Sequence, residues 1–205
     1  MRYSTEHKQE TRRRILREAA RQFRERGLDS VGVADVMAGV GLTHGGFYAH
    51  FRSKEELISE ALRSIQGGAV GRLISSKGEP AEAPSPGTDA VEEMVRRYLS
   101  PDHCERPGTG CVVAALGADA PRHSPEARQE LAERARGLAR AFLPYLQSGP
   151  GRPAEEQAIG VAASLVGGLI LARLEADPVA AERVLEGCRQ FILDVLKANE
   201  PPVNP

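Results

Sequence analysis

The stretch that most constrains this chain is Ala34 to Phe51, ADVMAGVGLTHGGFYAHF. It reads as two short helical pieces separated by a tight glycine-containing turn at Val40-Gly41-Leu42, and the segment before it is long enough to brace them. From Thr5 to Arg26, Ile15, Ala19 and Phe23, with Leu16 and Ala20, recur three or four residues apart on one helical face. Gly27 stops that helix. The second helix is expected over Val33 to Gly39, and a third from a Thr43 cap to about His50. This order suits a helix-turn-helix, whose second helix lies in the major groove of DNA while the first crosses near the backbone.

The rest of the chain predicts more helices. Ser53-Lys54-Glu55-Glu56 fits a capping box, with Ser53 serving the amide of Glu56 and Glu56 reaching back. It opens a fourth helix through Leu57, Ile58, Ala61, Leu62 and Ile65, toward Leu73. Residues 76–88, SKGEPAEAPSPGT, read as a surface loop or connector. Asp89 caps a helix ending near Pro101, a short helix falls within 109–120, and Ser124-Pro125 opens a longer one across 124–146. QSGPGRP at 147–153 breaks the chain before two final helices at 154–175 and 178–198. With aromatics at 4% and no Trp, the core must come from Leu, Ile, Val and Ala, which favours packed helices over sheet. The expected fold class is all-α, with about nine helices.

The net charge of -1 makes no case for nucleic acid, but its distribution does. Residues 1–26 hold nine Lys/Arg against four Asp/Glu, or +5, whereas residues 64–205 hold 15 basic and 19 acidic, or -4. No secretory signal is visible, and the uncharged run Ala158 to Ala172 is shorter than the roughly 20 residues that cross a bilayer, so a cytoplasmic protein without a membrane partner is expected. Cys104, Cys111 and Cys188 cannot all pair within one chain, and reduced thiols are the default. His103, Cys104 and Cys111 do not make a metal site by spacing, so neither metal nor cofactor is expected.

Thr43 and His44 sit at the groove-facing end of the third helix, where donors and acceptors meet base edges and early amides face phosphate. Gly45 and Gly46 either let the helix backbone approach DNA closely or relieve a helix-helix clash. Tyr48, His50 and Lys54 are candidate phosphate donors, while Phe47 and Phe51 fill the small domain's core. The run Arg12-Arg13-Arg14, with Arg17 a turn beyond, either neutralises flanking phosphates or forms a solvated charged face. Each true phosphate contact would add about 0.9 to the magnitude of the salt-dependence slope.

The segment Thr11 to Leu62 resembles the DNA-binding region of TetR-family transcriptional regulators, most tellingly in VADVMAGVGLTHGGFYAHFRSKEEL, residues 33–57. The resemblance implies a DNA-binding domain at 1–52 and a ligand-binding and dimerisation domain at 53–205, with the fourth helix, 53–73, as connector. It places Thr43, His44 and Gly46 in the recognition helix and Tyr48, His50 and Lys54 at phosphate-contacting positions. It also implies a homodimer built by the last two helices, on a palindromic operator with half-sites about 34–36 Å apart. Gly32 and Gly46 depart from the residues common in relatives, so operator identity does not follow.

In the body, GTGCVVAALGADA, residues 108–120, resembles a Gly-Cys helix in a branch that responds to electrophiles or oxidants. Cys104, in a Pro-bounded loop beside His103, Glu105 and Arg106, and Cys111 are therefore candidate thiol sensors, with burial the plainer reading for Cys111. Leu116, Phe142, Leu165 and Leu169 are candidate walls for a small hydrophobic effector, with structural core the stronger reading for each one separately. Gly160, Ser164 and Gly168, four residues apart, together with Val184 and Phe191 on the last helix, are candidate dimer-interface residues, a purely intrachain contact being the other reading. The expectation is a non-enzymatic, sequence-specific DNA-binding repressor released by a small-molecule or thiol-directed signal. The rival is a non-catalytic helical interaction dimer that binds no operator.

Overall fold

The computed structural model describes residues 2–65, 88–149 and 152–199. Among these residues it has nine α-helices and no strand: α1 (Arg2–Arg26), α2 (Val33–Gly39), α3 (Lys54–Ser64), α4 (Thr88–Tyr98), α5 (Pro101–Glu105), α6 (Val112–Leu116), α7 (Pro125–Arg140), α8 (Ala154–Leu174) and α9 (Pro178–Lys197). Short 3-10 helices cover His44–Ala49, Ala120–Arg122 and Leu143–Tyr145. Gly149 and Arg152 form an isolated antiparallel bridge. The fold is all-α, as the aliphatic composition predicts.

Packing groups the chain into two compact units: Met1–Gln66 with Pro107–Ala132, and Gly67–Arg106 with Glu133–Pro205. In the first, Ile15, Ala19 and Phe23 of α1 meet Val36 and Met37 of α2, Phe47, Phe51, and Leu57, Ile58 and Leu62 of α3 in one buried cluster that also takes in Val112, Leu116 and Leu131. Gly27 ends α1 at φ +84°, a backbone shape open mainly to glycine, with its N–H donating to the Phe23 carbonyl at 2.8 Å. Gly39 serves a different need: a Cβ there would lie 2.5 Å from Glu18 Oε1 and 2.9 Å from Glu18 Cγ, so a side chain at this point of α2 would have to push the Glu18 side chain of α1 aside.

The Ser53 hydroxyl caps α3 by accepting from the Glu56 amide at 3.1 Å, but Glu56 reaches back to the amide of Arg52, at 2.6 Å, one residue earlier than the capping box assumes. Whether that helix extends toward Leu73, and what the 76–88 stretch does before Thr88, fall outside the described residues. Thr88 itself opens α4.

In the second unit Ser100-Pro101 starts α5, with the Ser100 hydroxyl accepting from the His103 amide at 3.2 Å, so Cys104 lies on a helix and not in the expected loop. It is the same Ser-Pro signal that opens α7, where Ser124 accepts from the Ala127 amide at 3.2 Å. Asp177 caps α9, accepting from the amides of Val179 (3.1 Å) and Ala180 (3.3 Å). Helix α8 has 21 residues and is long and apolar enough to span a bilayer by length and composition, which removes the length argument made from the shorter uncharged run. One of its faces nonetheless packs within this unit, through Val161, Leu165, Leu169 and Ala172.

Candidate nucleic-acid interface

The segment after Thr43 is a 3-10 helix, not the α-helix expected, and two aromatic side chains hold it in place. The Gly46 and His50 amides donate three residues back, to Thr43 (3.1 Å) and Phe47 (2.9 Å). Phe47 is 1% exposed and stacks on Phe51 at 5.5 Å between centroids. Burying that pair forces their neighbours outward: Thr43 and His44 are exposed, and Tyr48 is 67% exposed, meeting the His44 ring edge-on at 6.0 Å. The Thr43 hydroxyl makes no capping hydrogen bond, contrary to expectation, although its extended backbone stands at the N-cap. An outward hydroxyl, imidazole and phenol on a surface turn form a small donor and acceptor array of the kind that reads groove edges and phosphates.

Gly45 and Gly46 relieve no clash within the domain. A Cβ on Gly45 would meet nothing within 4 Å, and one on Gly46 would make ordinary contacts with Met37 Cε (3.6 Å) and Thr43 Oγ1 (3.8 Å). Neither has a positive φ, so neither the backbone shape nor packing within the domain requires glycine at these two positions. At Gly32 the missing cap is made good from the other side, since Asp35 Oδ2 accepts from the Gly32 amide at 2.8 Å.

The basic residues sort into two groups. Arg12 forms a two-point ion pair with Glu60 of α3, its second contact 2.7 Å long, and its guanidinium lies 4.5 Å from the centre of the Phe51 ring. Arg14 donates to the Val40 carbonyl at 3.0 Å. These two brace α1 against the rest of the domain. Arg13 and Arg17 stand exposed, each beside Glu10 at 3.9 and 3.3 Å. Lys54, half-buried, donates to the Asp29 carbonyl at 3.3 Å. His50 is half-buried, and its Nδ1 has no hydrogen-bond partner. Burial first, then the positive charges of Lys8 and Arg12, hold its pKa below the ordinary imidazole value.

Contacts from residues 107–132 were not legible in the sequence, because no spacing signals a pairing so distant along the chain. Asp119 Oδ2 accepts from the Leu28 amide at 3.1 Å, and Arg24 donates to the Gly108 carbonyl at 2.7 Å. His123, its side chain 7% exposed, sits 3.3 Å from both Asp29 and Glu55. The turn before α2 and the start of α3 are thus held by a segment from the middle of the chain.

In residues 15–61 the chain matches the family model of bacterial regulatory proteins, tetR family. Over these 47 residues the chain is similar to the DNA-binding domain of that family. The transcriptional repressor KstR2 of Mycobacterium tuberculosis is 38% identical over 71 residues, 33% of this chain and 36% of that protein. The match thus spans about a third of the relative's length. The wider TetR-like fold extends further: the reduced form of E. coli NemR superposes with a TM-score of 0.71 over 91% of this chain and 96% of that one, at 20% identity. AibR, solved with isovaleryl coenzyme A and operator DNA, gives a TM-score of 0.58 over 89% of this chain and 98% of that one, at 17% identity.

Outside residues 15–61 the sequence-derived candidates scatter. Leu116 lies in the core of the first unit, while Phe142, Leu165 and Leu169, all fully buried, belong to the second. None of the four lines the cleft of about 280 Å³ in the second unit, which is walled by α5, α8 and α9 and includes Cys104, Arg173 and Glu182. Cys111 is 1% exposed, and no cysteine forms a disulfide. Burial pushes the Cys104 thiol above its ordinary pKa, against a smaller opposing pull from Arg173, which disfavours the thiolate a sensor needs.

Gly160, Ser164 and Gly168 lie along one side of α8 but differ in burial, from exposed Gly160 to buried Gly168. Four residues advance a helix by about 400°, so a period-four stripe winds some 40° further at each step. Gly160 meets nothing, the Ser164 hydroxyl donates to the Gly160 carbonyl at 2.9 Å, and Gly168 turns inward against Cys188 and Leu99. A Cβ at Gly168 would lie 2.7 Å from Cys188 Sγ, so this glycine serves packing inside the chain. Val184 is half-buried. The outward side of α8 instead carries Ile159, Ile170, Leu171 and Leu174, with Phe191, 57% exposed, on α9.

Proposed function

We propose that this chain is a DNA-binding transcriptional regulator, a repressor that acts as a homodimer in the cytoplasm and leaves a palindromic operator when a small effector binds. The observation that carries this reading is the turn Thr43 to His50, with Phe47 and Phe51 buried beneath it and Thr43, His44 and Tyr48 exposed, in the same compact unit as the exposed Arg13 and Arg17 of α1. In this reading residues 1–52 bind DNA and 53–205 carry ligand binding and dimerisation. Thr43, His44 and the backbone at Gly46 meet the groove; Tyr48, His50, Lys54 and Arg13 meet phosphates; Arg12 positions α1 through Glu60.

The apolar outward faces of α8 and α9 support the homodimer, since a run of exposed Ile159, Leu174 and Phe191 is costly to leave in water. An effector need supply only about 1.4 kcal/mol of coupling to change operator affinity tenfold. The raised Cys104 thiol and buried Cys111 favour reversible ligand binding over thiol chemistry as the signal.

Selection of genomic fragments on the purified protein, followed by titration of the recovered duplex, tests the reading. A preferred, salt-sensitive duplex with inverted half-sites is expected. Failure to enrich any sequence over competitor DNA, with a dimer still present by sedimentation, would favour the interaction-dimer alternative. Replacing Leu174 and Phe191 together by Glu is expected to give monomers that lose operator binding.

A further inference from the structure

The regulator reading makes no use of His123, which lies in the first unit between carboxylates from two other elements. Asp29, in the turn between α1 and α2, has its Oδ1 3.3 Å from His123 Nε2, and Glu55, in the first turn of α3, has its Oε1 3.3 Å from Nδ1. We propose that His123 is a proton-operated clasp: its imidazolium bridges Asp29 and Glu55 and ties the turn before α2 to α3, whereas its neutral form ties only one of them. The proposal rests on the DNA-binding reading only where it makes pH an input to duplex affinity. The clasp itself needs no DNA.

Counting protons carries the argument. A neutral imidazole has one N–H and one lone pair, so between two carboxylates it donates to one and sets its lone pair beside the other. The two ends of His123 are unequal. Nδ1 is within hydrogen-bond reach of Glu55, whereas Nε2 is buried and makes no hydrogen bond, although Asp29 stands at ion-pair distance. With the side chain 7% exposed and Nε2 itself covered, bulk water does not reach that nitrogen. A proton there turns an unmet acceptor facing a carboxylate into the donor of a charge-assisted contact.

The charges around the ring are arranged for that proton. Glu55 is steered to the imidazole, its Oε2 accepting from the neighbouring Ser124 amide at 3.4 Å. Asp119 accepts from the Leu28 amide and pairs with Arg122 at 2.8 Å, which secures the segment next to Asp29 and engages that guanidinium. Lys54 is turned to the Asp29 carbonyl at 3.3 Å, and Glu56 to the Arg52 amide. Glu126, in the first turn of α7, is exposed. The charges at the two ring nitrogens are therefore the carboxylates of Asp29 and Glu55. Lys54 gives the clasp its bearing on DNA. The residue that the clasp grips also supplies the carbonyl that orients this proposed phosphate contact.

The test is a double-mutant cycle on the full chain, free of DNA, from the parent, His123→Gln, Asp29→Asn and the double variant. Urea unfolding at pH 8 and pH 5.5 gives the coupling between the two positions, and titrations elsewhere, common to all four chains, cancel. The Asp29 side chain is 72% exposed, so solvent screens its charge and the effect is modest. Expressed as an equilibrium constant, the coupling is expected to be about threefold or more larger at pH 5.5 than at pH 8. If His123→Gln does not fold, Asp29→Asn against the parent carries the same expectation, a loss of stability about threefold greater at pH 5.5. A coupling equal at the two pH values, or larger at pH 8, overturns the clasp. On a selected duplex, the ratio of parent to His123→Gln affinity is expected to rise about threefold or more from pH 8 to pH 5.5. A flat ratio beside a pH-dependent coupling overturns the link to DNA. Absence of any preferred duplex counts against the regulator reading alone, and the cycle still decides the clasp.

Discussion

The turn Thr43–His50 and helix α8 both present side chains to the outside, yet they do so by different means. In the turn, one residue in three or four is driven inward, and burying Phe47 dictates that Tyr48 faces out. In α8 the chain winds past its own packing surface, and residues alike in chemistry end on opposite sides: Ile159 is 62% exposed, whereas Leu165 and Leu169 are fully buried. A surface fixed by local anchors is readable from the residues beside it. A surface fixed by what packs on the other side is readable only once the partner helix is known.

That contrast predicts the largest effects at the anchors. Phe47→Ala should cost about 3–5 kcal/mol in urea unfolding. Tyr48→Ala should change stability by no more than about 0.5 kcal/mol while weakening duplex binding. Equal stability losses at the two positions would erase the division between anchor and reader.

The two glycines of α8 sharpen it next. Gly168→Val must displace Cys188 and Leu99 and is expected to cost about 1–3 kcal/mol. Gly160→Ala meets nothing and should hold or raise stability, by up to about 1 kcal/mol. Chemical denaturation of the two single variants makes the comparison.

A smaller gap separates the neighbouring arginines. Arg12→Ala leaves Glu60 partly buried and uncovers Phe51, for a loss of about 1–2 kcal/mol. Arg13→Ala should leave stability within about 0.5 kcal/mol and lower the salt-dependence slope of duplex binding by about 0.9.

The smallest effect is titration. Burial holds the pKa of His103 below the ordinary imidazole value, with its Nδ1 donating to the Tyr98 carbonyl at 2.6 Å. The unfolded chain then takes up the proton first, so this stabilisation is complete above an unfolded value of about 6.5 and is lost as the pH falls below it. His50 contributes with the same sign. Unfolding midpoints measured from pH 7.5 to 5 should fall for the parent chain and fall less for His103→Gln.

The sequence carried the helix order and the inward aromatic pair because both rest on short-range signals: Ile15, Ala19 and Phe23 at helical spacing, Gly27 at φ +84°, and Ser53 at its cap. The same signal stood unread at Ser100-Pro101, which opens α5 and takes Cys104 out of the loop expected there. Arg12 and Arg13 could not be told apart because Glu60 lies 48 residues away. The four proposed pocket walls share only apolar chemistry, which fits them as well for a core, and a core is where they lie. The cleft walled by α5, α8 and α9 escaped because its residues come from those helices and the link between the last two, with no common spacing.

The central claim is that the turn from Thr43 to Tyr48 enters DNA while Phe47 and Phe51 hold it from below. Its most direct test is to titrate a selected duplex across a salt series with the parent chain and with Tyr48→Ala, both shown to be folded. Tight, salt-sensitive binding by the parent, weakened tenfold or more by Tyr48→Ala at unchanged unfolding midpoint, is the predicted result. Identical affinities for the two proteins, or no duplex preferred by either, would contradict it.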